Sequence, residues 1–252
     1  MIDLYKDKKI KRKEKKFWHK YNKLYHNYER GVIYRDFLRD FESFISPKSN
    51  EVWLDAGCGI GGIINLIKKK SKNKVKKIIG VDADKNVLFL ARQKFQQDIQ
   101  RNIVEFLNIS ISQKTIFRNE EFDGVVANFV FPYIIVFDGQ YADNMAIEMV
   151  MREMHRILKR NGIIVWSTLN KNFSLIKLFW NSKKDFFYSL ENAYYTLRLF
   201  KYLLQIKGKN KRGIYHSLSK DEIDPILKKI GFRNIVYKKS LVNQALIIKA
   251  EK

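Results

Sequence analysis

Leu54-Asp55-Ala56-Gly57-Cys58-Gly59-Ile60-Gly61-Gly62 lies directly after an apolar run at residues 51–56 and directly before a helical pattern at residues 61–70. Glycines placed there let the backbone turn tightly and approach a ligand without a Cβ in the way. The helix that follows presents free amides to a polar or anionic group. The text GCGIGG lacks the Lys-Ser/Thr of a phosphate-binding P-loop, so its context has to decide its meaning. Residues 77–82, KIIGVD, read as a second strand ending in Gly80-Val81-Asp82. A carboxylate at that point can accept both hydroxyls of a ribose held in the crevice beside the first strand.

Outward from this core, buried-strand patterns at residues 104–108, 122–129 and 162–169 alternate with helical patterns at residues 84–97 and 143–159. Such alternation predicts a parallel sheet with crossover helices. Residues 170–214 are aromatic-rich helical text that interrupts the pattern as an insertion. Ser219 and Glu222 form a capping box that opens a helix ending before Gly231, with Pro225 early enough to be tolerated. The last two strand patterns, at residues 233–241 and 244–249, are joined too closely for a crossover and must pair antiparallel. The expected architecture is α/β: a doubly wound, Rossmann-like sheet of seven strands with the last antiparallel. Residues 1–46 form an N-terminal helical cap, and residues 47–252 form the domain, with the helical insertion at about 170–214.

The chain has 252 residues, 46% apolar and 30% charged, enough to bury one core and unlike a disordered tail. Its net charge of +23 suits an anionic partner such as nucleic acid or a lipid surface. Lys occurs 36 times and Arg 13, Ile 30 and Asn 19 against 9 Ala, the skew that an A+T-rich genome produces, so part of that charge is codon usage. The single Cys58 excludes an internal disulfide and a multi-cysteine metal cluster. The N-terminal text has no apolar signal region and the longest apolar run, residues 129–137, is too short to span a bilayer, so a cytoplasmic setting is expected.

The segments VWLDAGCGIGG, IIGVDADKNVLFLARQK, EFDGVVANFVFPYI, EMHRILKRNGIIVWST and the terminal GFRNIVYKKSLVNQALIIKAEK together resemble the class I S-adenosylmethionine-dependent methyltransferases, with a type 11-like methyltransferase domain. The antiparallel ending separates this family from dinucleotide-binding Rossmann domains, which close with parallel strands. The resemblance implies S-adenosyl-L-methionine as cofactor and methyl transfer by in-line displacement. It implies that Asp55, Ala56, Gly57, Cys58 and Gly59 form the loop under the methionine part, with Gly61 opening the next helix. Asp82 would hold the ribose hydroxyls, Ala83 and Asp84 would line the adenine side, and Asn128 and Phe129 would pass beside the sulfonium. Where the family often has an acidic residue after the third strand, this chain offers Asn108, Ile109 and Ser110, and Ser110 is the position aligned with it. In similar enzymes the N-terminal helix closes over the cofactor, which points to Tyr25 or Tyr28.

Methyl transfer asks little of side chains beyond holding the acceptor in line in a dry site, so no catalytic dyad is required. Tyr133, His216 and His26 are the candidates for base or acceptor contact, and Asp138, Tyr141 and Asp143 for the acceptor side. The four histidines show no metal-ligand spacing, and His155 reads as part of a solvated face. Cys58 reads as a small buried residue and not a nucleophile. The acceptor is expected to be a small or amphiphilic metabolite, because Phe173, Phe179, Trp180, Phe186, Phe187, Tyr188, Tyr194 and Tyr195 of the insertion can wall an apolar pocket. The same insertion, with its lysines, could instead lie against a membrane. The alternatives are an RNA methyltransferase whose segments at Lys6–Lys16 and Lys207–Arg212 track phosphates, and a non-catalytic module that keeps the cofactor pocket for structure. The lysine run at residues 68–77 falls at the opposite edge of the sheet.

Overall fold

Strand β1 (Val52–Ala56) is buried along almost its whole length, as is β2 (Lys77–Val81), because both are covered by helices on two faces. The computed structural model describes residues 12–14, 16–21, 32–111, 114–133, 144–212 and 214–252. With β3 (Val104–Leu107), β4 (Phe122–Asn128), β5 (Leu158–Leu169), β6 (Arg233–Ser240) and β7 (Ala245–Glu251), these strands form one seven-stranded sheet in the order β3-β2-β1-β4-β5-β7-β6. The five strands β1 to β5 run parallel, while β7 pairs antiparallel with both β5 and β6. The chain leaves β1 toward β2 on one side and later returns to β4 on the other. That reversal opens a crevice at the carboxyl ends of β1 and β4.

Helices α1 (Val32–Glu42), α2 (Gly62–Lys70) and α3 (Lys85–Lys94) contribute to one core cluster, while α5 (Asn144–Ile157) and α8 (Lys220–Ile230) contribute to another. Helix α1 differs from the expected cap at an end of the sheet. Phe37 and Phe41 are fully buried in the same cluster as Trp53, Ile64 and Val165, so α1 completes a face layer. The single helix expected over residues 84–97 is broken: α3 ends at Lys94 and a short α4 (Gln96–Gln100) follows. Phe95 leaves helical geometry at φ −108°, ψ 24°, and its ring is buried 5.8 Å from that of Phe106. Burying that ring against α2 outweighs one more turn of regular helix.

The capping box at Ser219 and Glu222 is formed, α8 runs through Pro225, and Gly231 closes it at φ 106°. The insertion is a helical hairpin, α6 (Leu175–Phe186) and α7 (Leu190–Lys211), between β5 and α8. Its inner face joins a third apolar cluster that includes Phe17, Trp18, Tyr133, Phe173, Tyr202 and Tyr215. Among the described residues no helix is long and apolar enough to cross a membrane.

If α1 belongs to the core, Phe41→Ala is expected to lower the unfolding free energy by about 3–5 kcal/mol, measured by urea denaturation. A loss within a few tenths of a kcal/mol of zero would show that α1 docks loosely.

Candidate functional site

The turn after β1 is held against the end of β2: the amides of Gly57 and Cys58 both donate to Val81 O, at 2.8 and 2.9 Å. Gly57, Gly59 and Gly61 all adopt positive φ, at 73°, 53° and 82°, which L side chains resist. The space around them differs. A Cβ on Gly57 would lie 2.5 Å from Val130, and one on Gly61 would lie 2.4 Å from the Phe95 ring. A Cβ on Gly59 would meet nothing within 4 Å, so the loop presents bare backbone to open space there.

Asp82 stands beyond the end of β2 and anchors this loop. Its Oδ2 accepts from Gly59 N at 3.0 Å and its Oδ1 from Asp84 N at 2.9 Å. Asn108 Nδ2 donates to Asp82 O at 2.8 Å and so ties the chain after β3 into this turn, with Ser110 half-buried two positions further on. Asp84 caps α3 by accepting from Asn86 N, and its other oxygen lies 3.3 Å from His19 Nδ1, so its carboxylate is largely committed. Ala83 is half-buried between these two carboxylates, while Ala56 packs its methyl into the first core cluster and can offer only backbone to the loop.

Asp55 is 1% exposed, and neither carboxylate oxygen has a hydrogen-bond partner among the described residues. Burial pushes its carboxyl up to about 8, with the Asp82 charge adding to the rise. Desolvation likewise raises Asp82, to about 6, despite the amides that favour its ionised form. An unpartnered buried carboxylate is costly unless a cation or donor completes it. Cys58 is buried, and its thiol is pushed up by desolvation and by Asp55 and Asp82, which leaves it a poor nucleophile.

At the end of β4, Asn128 is fixed from both sides: its Nδ2 donates to Tyr34 Oη at 2.9 Å and its Oδ1 accepts from Ser167 Oγ at 2.6 Å. Ser167 Oγ also accepts from Phe129 N at 3.0 Å. Phe129 has φ 53°, a strained value for a non-glycine residue, and stacks on Phe37 at 4.9 Å. Tyr34 and Ser167 were not legible as site residues, since they lie 94 and 39 positions from Asn128.

The N-terminal helical turn at residues 16–21 bridges both banks of the crevice. His19 reaches Asp84 beyond β2, and Trp18 packs 4.6 Å from the Tyr133 ring beyond β4. A buried triad joins Glu14, which precedes this turn, to the end of the insertion and the residue after it: Lys209 Nζ and Tyr215 Oη each donate to Glu14 Oε2 at 2.6 Å. Tyr25, Tyr28, His26, Asp138, Tyr141 and Asp143 lie outside the described residues.

Of the remaining candidates, Tyr133 is buried and its hydroxyl is pushed well above the ordinary range by desolvation, so it holds its proton. His216 lines an apolar pocket with Phe131, Trp166, Thr168 and Leu218. His155 departs from the solvated face expected of it: it is half-buried, edge-on to Phe232 at 5.0 Å, and desolvation lowers its pKa. The insertion aromatics do not converge on a pocket as expected. Phe173 is buried, Phe179 packs on Phe186 and Phe200, and Trp180, Phe187, Tyr188 and Tyr194 face solvent, because the hairpin spends its inner face on the third cluster.

Residues 54–166 match a family model described as a methyltransferase domain. Over 92 residues the chain is 34% identical to the tRNA (guanine-N(7)-)-methyltransferase of Acetivibrio thermocellus, an alignment covering 34% of this chain and 41% of that enzyme. The chain thus covers well under two thirds of this relative's length. Among solved structures it is similar to a SAM dependent methyltransferase from Aquifex aeolicus, with TM-score 0.54 and 15% identity over 89% of this chain and 91% of that one. It is also similar to an S-adenosylmethionine dependent methyltransferase from Mesorhizobium loti, with TM-score 0.58 and 14% identity over 85% and 96%. At these identities the structures share the fold. The glycine turn, the acidic residue after β2 and the antiparallel final strand stand in one sheet, residues 54–166 match the methyltransferase domain model, and the fold is the Rossmann-like one of the S-adenosylmethionine-dependent methyltransferases.

Proposed function

We propose that the chain transfers the methyl group of S-adenosyl-L-methionine to a small or amphiphilic metabolite, in the reducing cytoplasm. The observation that carries the cofactor assignment is Asp55: buried, without a partner, beside Asp82 and the open face of Gly59. Those features fit a ligand with an ammonium or sulfonium group at one end and hydroxyl donors at the other. Bound there, the cofactor would supply a methyl group activated by its sulfonium. Asp55 would complete the cationic part, and the remaining acceptor capacity of Asp82 would take the ribose hydroxyls. Asn128, clamped by Tyr34 and Ser167, would hold the β4 exit rigid beside the reacting centre. In this reading the helical turn at residues 16–21 of the N-terminal cap assigned to 1–46 helps, through Trp18 and Tyr133, to exclude water from the mouth of the domain at 47–252, with the insertion at about 170–214 above it. Tyr133 keeps its proton and so can donate to an acceptor but not deprotonate one.

A second reading, methylation of RNA, is favoured by the tRNA methyltransferase relative and by the +23 charge. The aromatic enclosure of Trp18, Tyr133 and Tyr215 favours the metabolite. Log affinity for RNA plotted against log salt separates the two. A slope of several units would establish phosphate contacts and replace the metabolite reading, while the expected response is flat.

Asp82→Ala is expected to weaken binding of S-adenosylhomocysteine by about 2–4 kcal/mol, roughly 30- to 1000-fold in Kd by calorimetry, since two hydrogen bonds to a charged acceptor are lost. An unchanged Kd would remove Asp82 from the site.

Asp55 also makes stability depend on pH. Its folded carboxyl titrates at about 8 against an ordinary 3.8, so the folded state binds the proton more tightly. Stability from this group is therefore highest below the ordinary value and falls as pH rises toward about 8, with Asp82 acting in the same direction up to about 6. Asp55→Asn is expected to flatten the decline in urea midpoint between about pH 5 and about pH 8. Parallel curves for the two proteins would show that Asp55 is solvated or paired.

A further inference from the structure

We infer that the outer face of the α6–α7 hairpin is a docking surface for an anionic phospholipid bilayer. Each helix of the hairpin carries a second apolar stripe that the fold does not use. On α6, Ile176 and Trp180 stand four residues apart, with Phe187 in the turn just beyond its end, and on α7, Leu190, Tyr194, Leu197 and Leu204 follow at steps of four, three and seven. These steps bring side chains onto one helical face. All of them are exposed, from 52% at Tyr194 to 92% at Leu190. The opposite stripe of α7, with Tyr202, Leu203 and Ile206, is buried in the third cluster. The two outer stripes meet at the hairpin tip, where Phe187, Tyr188 and Leu190 are 77%, 83% and 92% exposed.

Charge selects the occupant. Residues 170–214 hold ten basic residues, of which Lys209 is buried on Glu14, against two acidic ones, and cations sit among the apolar stripes: Lys183 lies 5.4 Å over the Trp180 ring and Arg198 lies 5.4 Å over Tyr194. A second copy of this chain would bring the same basic face and repel. Nucleic acid would engage the cations and could stack on the aromatics, but Ile176, Leu190, Leu197 and Leu204 have no flat face to stack on a base and would stay exposed to water. A bilayer surface with anionic headgroups accepts both kinds of side chain, with aromatic and aliphatic groups entering the headgroup boundary and Lys and Arg reaching the phosphates.

The inner face of this hairpin packs on the cluster around Tyr133, so docking would hold the mouth of the domain at the lipid surface. That consequence deepens the amphiphilic-acceptor reading and rests on it, whereas the docking itself is tested without methyl transfer. Trp180 is 61% exposed while Trp18, Trp53 and Trp166 are buried, which makes it a built-in probe.

Vesicles of phosphatidylcholine, with and without about one third phosphatidylglycerol, are mixed with the full chain, and flotation and tryptophan emission are recorded. The expected result is at least about tenfold stronger partition to the anionic vesicles, weakened by salt, with a blue shift that Trp180→Phe abolishes. The triple variant Phe187→Ser, Tyr188→Ser, Leu190→Ser should lose at least about tenfold of this partition while binding S-adenosylhomocysteine as the parent does. Absent partition at low salt, partition unchanged in the triple variant, RNA binding that the triple variant abolishes in place of vesicle binding, or a dimer that the triple variant dissociates would each overturn the inference. Failure of methyl transfer alone, with vesicle binding intact, would instead count against the proposed reaction.

Discussion

A carboxylate buried without a partner is the constraint around which this fold is arranged. Asp55 sits at the end of the central strand with neither oxygen hydrogen-bonded among the described residues, and Asp82 stands close enough to add to its reluctance to ionise. No hydrogen bond among the described residues offsets that placement. An apolar residue of similar size at Asp55 would fill the end of β1 without charging the interior. The cost is tolerated because the glycine turn, the capped start of α3 and the Asn108 amide hold the neighbouring backbone in place. The site is therefore rigid and electrostatically unsatisfied, the condition in which a cationic ligand with hydroxyl donors gains most.

The same preorganisation appears at the β4 exit. Phe129 occupies a left-handed conformation that a phenylalanine avoids, held by Ser167 and by stacking on Phe37. Because Phe37 belongs to α1, that N-terminal helix is at once part of the core and a support of the site. The helical turn at residues 16–21 then reaches across the crevice, and Glu14 just before it is joined to Lys209 and Tyr215 at and just after the end of the insertion. Two segments far apart in sequence thus meet at one crevice.

The insertion shows how an amphipathic pattern can be read correctly as helix and wrongly as pocket. Its aromatics at helical spacing were legible, but which of them faced inward was not. Helix α7 has apolar residues on two faces, and only docking against Tyr133 and Phe17 reveals that Tyr202 and Ile206 are used while Leu190 and Tyr194 are left over. A similar limit applied to Phe95: its inward position agrees with the 3.6 period of Val87, Leu88 and Ala91, but the break in the helix at that residue is not encoded in the period.

Local physics determined a great deal from sequence alone: the strands from their continuous apolar runs, the glycine turn from its spacing, the Ser219 cap from its hydrogen-bonding partners, and the antiparallel ending from a connection too short to cross over. Asp55 and Asp82 could be named because their positions relative to strand ends are local facts. Tertiary structure alone decided that Asp55 has no partner, that Tyr34 and Ser167 clamp Asn128, that Trp18 and His19 span the crevice, and that an apolar face of the hairpin stays bare. Those are contacts between segments tens of residues apart, set by which faces the sheet brings together, and no local pattern encodes them.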